Sequence, residues 1–202
     1  IYNERFIEDS IYAGIKSIDA AYFEHNNELF YAFNYKVDSL KRTTEYYDEK
    51  TQSLQRTFLR APVQFSNVSS RYNLKRRIAL YGNRVKAHKG TDFAAPVGTE
   101  ILATADGRVI ESRRKGGNGN YVKIRHNSTY STQYLHMKKR LVKVGQYVNQ
   151  GDVIGLVGMT GNTSGPHVCY RFWKNGKQVD PFKQKLPAGK PVPESHKIKY
   201  EE

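Results

Sequence analysis

Three histidines of the sequence stand near other residues that can bind a metal ion. His88 begins a His-Lys-Gly-Thr-Asp run that ends at Asp92, and His167 lies two residues before Cys169. The third, His136, follows a Tyr-Leu pair. Imidazole, carboxylate and thiolate groups are the usual protein ligands of zinc. These residue types would suit a metal centre, although each residue alone is more often a packed or surface side chain.

Local backbone geometry indicates which of these side chains can meet. Residues i and i+2 of a strand point to the same face, which predicts that His167 shares a face with Cys169 and Tyr134 with His136. Gly90 disfavours a helix between His88 and Asp92, so we expect a bent strand or loop there. Ordinary loop, strand-end and tail positions are expected for the other histidines, His25, His126 and His196.

The elements that must position these residues are short strands. From residue 61 onward, runs rich in β-branched and aromatic residues alternate with turns that contain glycine. This pattern predicts a mostly β fold, an antiparallel sandwich or barrel. The strands are expected at 100–104, 107–111, 121–126, 132–135, 147–149, 153–157 and 168–173.

The chain divides into three parts by composition. Residues 1–60 alternate apolar and polar side chains and predict a small antiparallel β module, truncated upstream. Proline at the Arg60-Ala61-Pro62 step marks a boundary, so residues 61–185 form the main domain. Prolines with Lys and Glu predict a loose tail over 186–202. Within the module we expect strands at 15–23 and 29–35, a hairpin loop at 25–28, and a strand end with a turn at 46–51.

Charge and composition limit the partners. The chain carries 33 Lys and Arg against 19 Asp and Glu, a net charge of +14, which favours polyanionic partners. The basic residues are spread along the chain without a nucleic-acid motif, so no nucleic acid is expected. One cysteine excludes an intrachain disulfide. No apolar run approaches the roughly 18 residues of a membrane span. The chain begins at Ile1 rather than Met, which leaves open an export signal or membrane anchor upstream.

The order of the motifs resembles the lysostaphin-type, or LytM-like, zinc endopeptidases. HxxxD is followed by Tyr-x-His and then by Gly-x-Thr-x-x-x-Gly-Pro-His-x-Cys, and the resemblance covers about 125 residues. Residues 48–62 also resemble the linker module that precedes this domain in relatives of Gram-negative type. Further segments that resemble the family lie at residues 65–72, 88–99, 105–109, 119–124, 144–155 and 179–181.

The resemblance implies a role for each matching residue. His88 and Asp92 are implied zinc ligands, and Cys169 occupies the position of the third ligand. His136 and His167 are implied catalytic residues that serve the water or the oxyanion. The implied fold is an antiparallel β domain with a groove, and the implied function is hydrolysis of peptide bonds in peptidoglycan stem peptides or cross-links. The implied partners are peptidoglycan and, separately, other proteins of the cell envelope. The implied localisation is the cell envelope, either periplasmic or extracellular.

Two positions depart from the pattern of the family. Cys169 stands where the family has histidine, and a thiolate there would make the site with zinc and Asp92 formally neutral instead of +1. A less positive metal acidifies water less and polarises a carbonyl less. Arg171 stands where the family usually has Glu, and alternation predicts that it flanks the site. Three functions therefore remain open: an active enzyme, a catalytically degenerate binding or regulatory domain, and redox sensing by Cys169.

Overall fold

The computed structural model describes residues 1–8, 11–37, 45–54, 56–65, 67–77, 85–186 and 189–201. These residues form two compact units, Ile1–Thr57 with Leu186–Glu202, and Phe58–Lys185. Strands dominate both units and pair antiparallel, so the predicted mostly β class is confirmed. No helix in the described ranges combines the length and the apolar character that a membrane span needs.

The first unit contains two small antiparallel sheets. The predicted hairpin loop at 25–28 is confirmed, with Asn26 and Asn27 at φ +51° and +61°, a conformation that asparagine tolerates in tight hairpin turns. The predicted strand at 15–23 is instead two strands that separate at Asp19. The strands are β1 (Tyr2–Ile7), β2 (Ile11–Ile18), β3 (Ala20–His25), β4 (Glu28–Asn34) and β5 (Tyr46–Tyr47).

The C-terminal segment differs from the loose tail expected for 186–202. It joins the first unit and ends in helix α1 (Glu194–Glu201). Val192 is 1% exposed and its N–H donates to the Thr51 carbonyl, while Tyr200 packs edge-on against Tyr35. Two apolar anchors therefore order a segment whose prolines and charges indicated disorder.

The second unit is built on one large sheet in the order β13-β9-β10-β11-β15-β7-β6, with β16 beside β15. A smaller sheet has the order β12-β14-β8. The strands are β6 (Asn67–Ser70), β7 (Thr91–Ala94), β8 (Glu100–Leu102), β9 (Gly107–Arg114), β10 (Asn120–Arg125), β11 (Tyr130–Met137), β12 (Lys139–Arg140), β13 (Tyr147–Val148), β14 (Val153–Leu156), β15 (His167–Lys174) and β16 (Lys177–Val179).

The core of the second unit lies against one face of the large sheet. Tyr134 on β11 and Tyr170 on β15 are opposite each other in the register, and both hydroxyls lie within hydrogen-bond distance of Thr104, just beyond β8. Full burial of each large apolar side chain contributes about 1.5–3 kcal/mol, which makes this core the main source of stability. Its fully buried members include Ile101, Val109, Val122, Ile124, Ile154 and Phe172.

Candidate metal centre

Three potential metal ligands meet on the opposite face of the large sheet. The register of β7 and β15 places Asp92 beside Cys169. His88 lies just before β7, where its backbone forms an isolated antiparallel β-bridge with Asn73. The ligand atoms of His88, Asp92 and Cys169 all lie within 4.8 Å of one another. His88 Nε2 is 3.0 Å from Asp92 Oδ1 and 3.6 Å from Cys169 Sγ. Three donors of the types that bind zinc thus converge on one point.

The hydrogen bonds of His88 show that this point suits a cation. Nδ1 lies 3.1 Å from the Arg71 carbonyl, which can only accept, so Nδ1 carries the proton and Nε2 presents a lone pair. That lone pair faces Asp92 Oδ1, a buried oxygen with no hydrogen-bond partner in the described part of the chain. Two acceptors 3.0 Å apart repel each other unless a cation lies between them. The residues present therefore fit a divalent metal ion.

Burial and charge shift the pKa values of the two acidic side chains, Asp92 and Cys169, in opposite directions. Burial by itself would raise the pKa of Asp92, but His88 and His167, which stabilise the carboxylate through a hydrogen bond and charge when they are protonated, hold it below its usual value. Burial, with a contribution from Asp92, raises the pKa of the Cys169 thiol to about 12. Cys169 would therefore have to release a proton to bind a metal, because only the thiolate is a good ligand.

His136 reaches this face through an irregularity in β11. The register pairs Leu135 with Cys169 and Tyr134 with Tyr170, so Leu135 lies on the metal face and Tyr134 on the core face. Simple alternation would put His136 with Tyr134, as the sequence analysis expected. The structure contradicts this expectation, because the pairing shifts here and His136 has φ +65°. A bulge of this kind re-aims a side chain, and it turns His136 towards the metal face.

His136 and His167 form a pair beside the three ligands. Their ring centroids are 4.8 Å apart, and His167 Nε2 lies 3.6 Å from Asp92 Oδ1. Each Nδ1 contacts a backbone carbonyl, that of Thr160 at 2.8 Å and that of Gly165 at 2.9 Å. Because carbonyls only accept, both rings carry the proton on Nδ1 and leave Nε2 as the proton acceptor.

Thr160 is a supporting residue that the sequence analysis missed. Its carbonyl orients His136, and its hydroxyl joins the Asn120 N–H to the Met137 carbonyl. A Cβ on Gly119, which has φ +65°, would lie 2.2 Å from the Thr160 carbonyl oxygen. Only glycine permits this approach, so the Gly119-Asn120 pair in the sequence could have indicated a close backbone contact at this position.

Gly90 has a second use beyond bending the chain. A Cβ there would lie 2.8 Å from Cys169 Sγ and 3.0 Å from Arg171 Cγ. Gly90 thus lets the Cys169 and Arg171 side chains pack against the backbone before β7. Arg171 flanks the cluster as alternation predicts, and its charge opposes protonation of both Cys169 and His136.

The three remaining histidines lie outside the cluster. His126 is bonded on both ring nitrogens, to the Asp106 carbonyl and the Thr132 hydroxyl at 2.7 Å each, and burial lowers its pKa to about 4. His25 ends β3, and His196 belongs to α1 and contacts Tyr35.

Comparison with known proteins identifies this arrangement. The model of Peptidase family M23 matches residues 86–181, which include all five residues of the cluster. The chain is 30% identical to the mutant catalytic domain of the prophage-encoded M23 protein EnpA from Enterococcus faecalis. That alignment covers 62% of the chain and 97% of the domain, with a TM-score of 0.55. The chain belongs to peptidase family M23.

Longer proteins resemble more of the chain. The peptidoglycan DD-endopeptidase ShyC of Vibrio cholerae is 43% identical over 93% of the chain, and ShyA is 41% identical over 80%. The chain spans only 42% and 37% of their respective lengths. A zinc-containing peptidase from Vibrio cholerae is 36% identical, with a TM-score of 0.62 over 91% of the chain and 55% of that structure.

Proposed function

We propose that the protein is a zinc metalloendopeptidase that hydrolyses peptide bonds in peptidoglycan stem peptides or cross-links, in the cell envelope. The observation that carries the proposal is the meeting of His88, Asp92 and Cys169 beside two histidines whose Nδ1 atoms contact backbone carbonyls, which leaves Nε2 of each ring available. The M23 relatives named as peptidoglycan DD-endopeptidases and the zinc-containing structural neighbour support the substrate and the metal.

His88, Asp92 and Cys169 would hold the zinc ion. Three protein ligands leave the fourth tetrahedral position open, as catalytic zinc sites require. Zinc bound there would act as a Lewis acid towards a peptide carbonyl and would lower the pKa of water. The Arg71 carbonyl fixes the tautomer of His88, and such outer hydrogen bonds orient metal ligands and strengthen their basicity.

His136 and His167 would handle the proton and the developing negative charge. Burial is the main cause that lowers the pKa of His136, so this ring is neutral at pH 7 and can accept a proton at Nε2. The bond from Nδ1 to the Thr160 carbonyl then holds the ring in place and stabilises the charged form. His167 Nε2 lies 3.6 Å from the same Asp92 oxygen, and once it has taken up a proton it would donate to the oxyanion.

A degenerate binding or regulatory domain is the second candidate. The charge of a Cys169 thiolate favours it, because the site would be formally neutral and a weaker Lewis acid. The structure does not favour redox sensing, since Cys169 is 3% exposed and its pKa is raised to about 12, whereas reactive cysteines are accessible and acidic.

Zinc analysis followed by a peptidoglycan digest tests the proposal. The purified chain should contain about one zinc per molecule and release peptides from peptidoglycan, and a chelator should stop the release. Full zinc without any cleavage would favour the degenerate domain. Absence of zinc after reconstitution would contradict the metal site itself.

The modular organisation is also a proposal. Residues 1–60 are interpreted as a separate β module that influences access to the groove. All buried apolar residues described by the structure, apart from Tyr47 and Val192, lie in residues 58–185. We therefore expect residues 58–185 alone to fold and bind zinc, as circular dichroism and metal analysis would show. An unfolded product would mean that the two units depend on each other.

A further inference from the structure

A row of polar side chains crosses the large sheet beside the metal centre. The register aligns Lys123 on β10 with Gln133 on β11, and Gln133 with Arg171 on β15. Arg171 is two residues beyond Cys169, and Trp173 is two residues further, so both lie on the face of the metal centre. Neighbouring side chains on one face of β15 are two residues, or about 7 Å, apart. One residue of a bound substrate can therefore reach from one of these side chains to the next.

Two donors in this region lack acceptors. Arg171 Nε and Trp173 Nε1 are buried and have no hydrogen-bond partner among the described residues. A buried donor without an acceptor destabilises a fold by about 1–3 kcal/mol, so such groups call for an explanation. Lys123 Nζ lies 4.1 Å from the centre of the Trp173 ring and adds positive charge to the same place.

Nearby carboxylates do not supply the missing acceptor. Glu111, aligned with Lys123, instead accepts hydrogen bonds from Arg113 and Tyr121. In the described ranges no carboxylate forms an ion pair with Arg171. The guanidinium is also confined, because its Cγ packs where a Gly90 side chain would otherwise lie. The guanidinium also interacts with the Cys169 thiol, so the site holds a positioned cation whose Nε lacks a partner among the described residues.

We propose that Arg171 and Trp173 form a subsite for a carboxylate group of the substrate, next to the metal centre. The inference rests on the proposed function and names its substrate class: a peptide with a free carboxylate close to the bond that is cut. A guanidinium fork binds carboxylate oxygens in two parallel hydrogen bonds, and the indole N–H can add a third once the atoms that cover it in the free chain move aside. Arg171 acts here as a specificity residue and takes no part in bond cleavage.

Two peptides that differ only in charge test the subsite. The probes are a synthetic cross-linked stem peptide with free carboxylates and the same peptide with those carboxylates amidated. Binding is followed through the fluorescence of Trp173, the one tryptophan in the chain, using the zinc-loaded full chain with His136→Ala to slow turnover. We expect about tenfold tighter binding of the free-carboxylate peptide, typical of one charge-assisted contact.

Substitutions then assign that preference to Arg171. Arg171→Gln should bring the ratio of affinities close to one, while Arg171→Lys should keep part of it, because lysine retains the charge without the fork. Lys174→Gln removes one positive charge from the opposite face of β15 and should leave the ratio unchanged. Zinc content is measured for every variant.

The outcomes separate this proposal from the proposed function. Equal or undetectable binding of the two peptides by the His136→Ala chain would overturn the subsite, whether or not the unsubstituted chain cleaves them. A preference that disappears on Arg171→Gln, together with no cleavage by the unsubstituted zinc-loaded chain, would support the subsite and contradict the enzyme. Loss of zinc in Arg171→Gln would overturn the assignment, because Arg171 would then serve Cys169 and the metal.

Discussion

The two faces of the large sheet use the same strands but treat polar groups differently. On the core face, the hydroxyls of Thr104, Thr132, Tyr134 and Tyr170 form one connected network, which His126 extends through Thr132. On the metal face, Asp92 Oδ1, Arg171 Nε and Trp173 Nε1 are buried without partners in the described part of the chain. Thr91 Oγ1 is a similar atom on the core side.

The difference shows which face is built for a ligand. A folded protein leaves few buried polar atoms unpaired, because each one costs about 1–3 kcal/mol. Several such atoms around His88, Asp92 and Cys169 are accounted for if a metal and a substrate complete them. The completed network on the core face needs no such addition. Substitutions on the two faces should therefore change different properties.

The largest difference is expected between two histidines, one on each face. His88→Ala should abolish zinc binding and detectable hydrolysis. Only Asp92 and Cys169 would remain of the three potential ligands, and catalytic zinc sites need three protein ligands. Elemental analysis and a peptidoglycan digest measure the two effects. The matched control is His126→Gln, which should reduce stability and keep the zinc. Full zinc content in His88→Ala would contradict the ligand assignment.

The next effect concerns turnover alone. His136→Ala and His167→Ala should each lower turnover roughly 10²-fold or more while zinc content stays nearly intact, as for a lost acid–base group. Steady-state rates normalised to bound zinc provide the measurement. If either change removes the metal, that histidine is a ligand and its role must be reassigned.

The core face should respond to pH through His126. Its pKa in the folded chain is about 4, below the 6.5 of an exposed histidine, so the unfolded state binds more protons between these values. The stability that neutral His126 contributes is complete above pH 6.5 and is lost as the pH falls towards 4. We expect a loss of about 3 kcal/mol, a factor of roughly 200 in the folding equilibrium.

Denaturant unfolding at a series of pH values measures this dependence. His126→Gln should remove this part of the pH profile, since glutamine does not titrate. An unchanged profile in the variant would show that other groups cause the loss at low pH.

The smallest effect is expected at Cys169. Cys169→His should raise hydrolysis of peptidoglycan peptides at neutral pH, by roughly tenfold, because a neutral ligand makes the zinc more positive and better able to stabilise an oxyanion. Geometry is the competing effect, since imidazole is longer than a thiol and Gly90 already packs against Sγ. Rate and zinc content are therefore measured together. A variant with full zinc and no gain would contradict the charge explanation.

Local sequence by itself determined the fold class and the chemistry of the donors. Turn glycines and β-branched runs predict seven of the eleven strands described in the main domain, because both signals act within a few residues. Alternation correctly places Cys169 two residues from His167 on one face of β15, on the side that carries Asp92. The ligand types of His88, Asp92 and Cys169 also follow directly from their side chains.

Only the tertiary structure decided where His136 points and which atoms fix the rings. The turn at His136 depends on a shifted pairing with β10, and its tautomer depends on a carbonyl 24 residues away in sequence. The order in the C-terminal segment likewise depends on contacts of Val192 and Tyr200 with distant residues. Alternation and turn signals are local, whereas register, bulges and packing are set between strands remote in sequence, so no local pattern contains them.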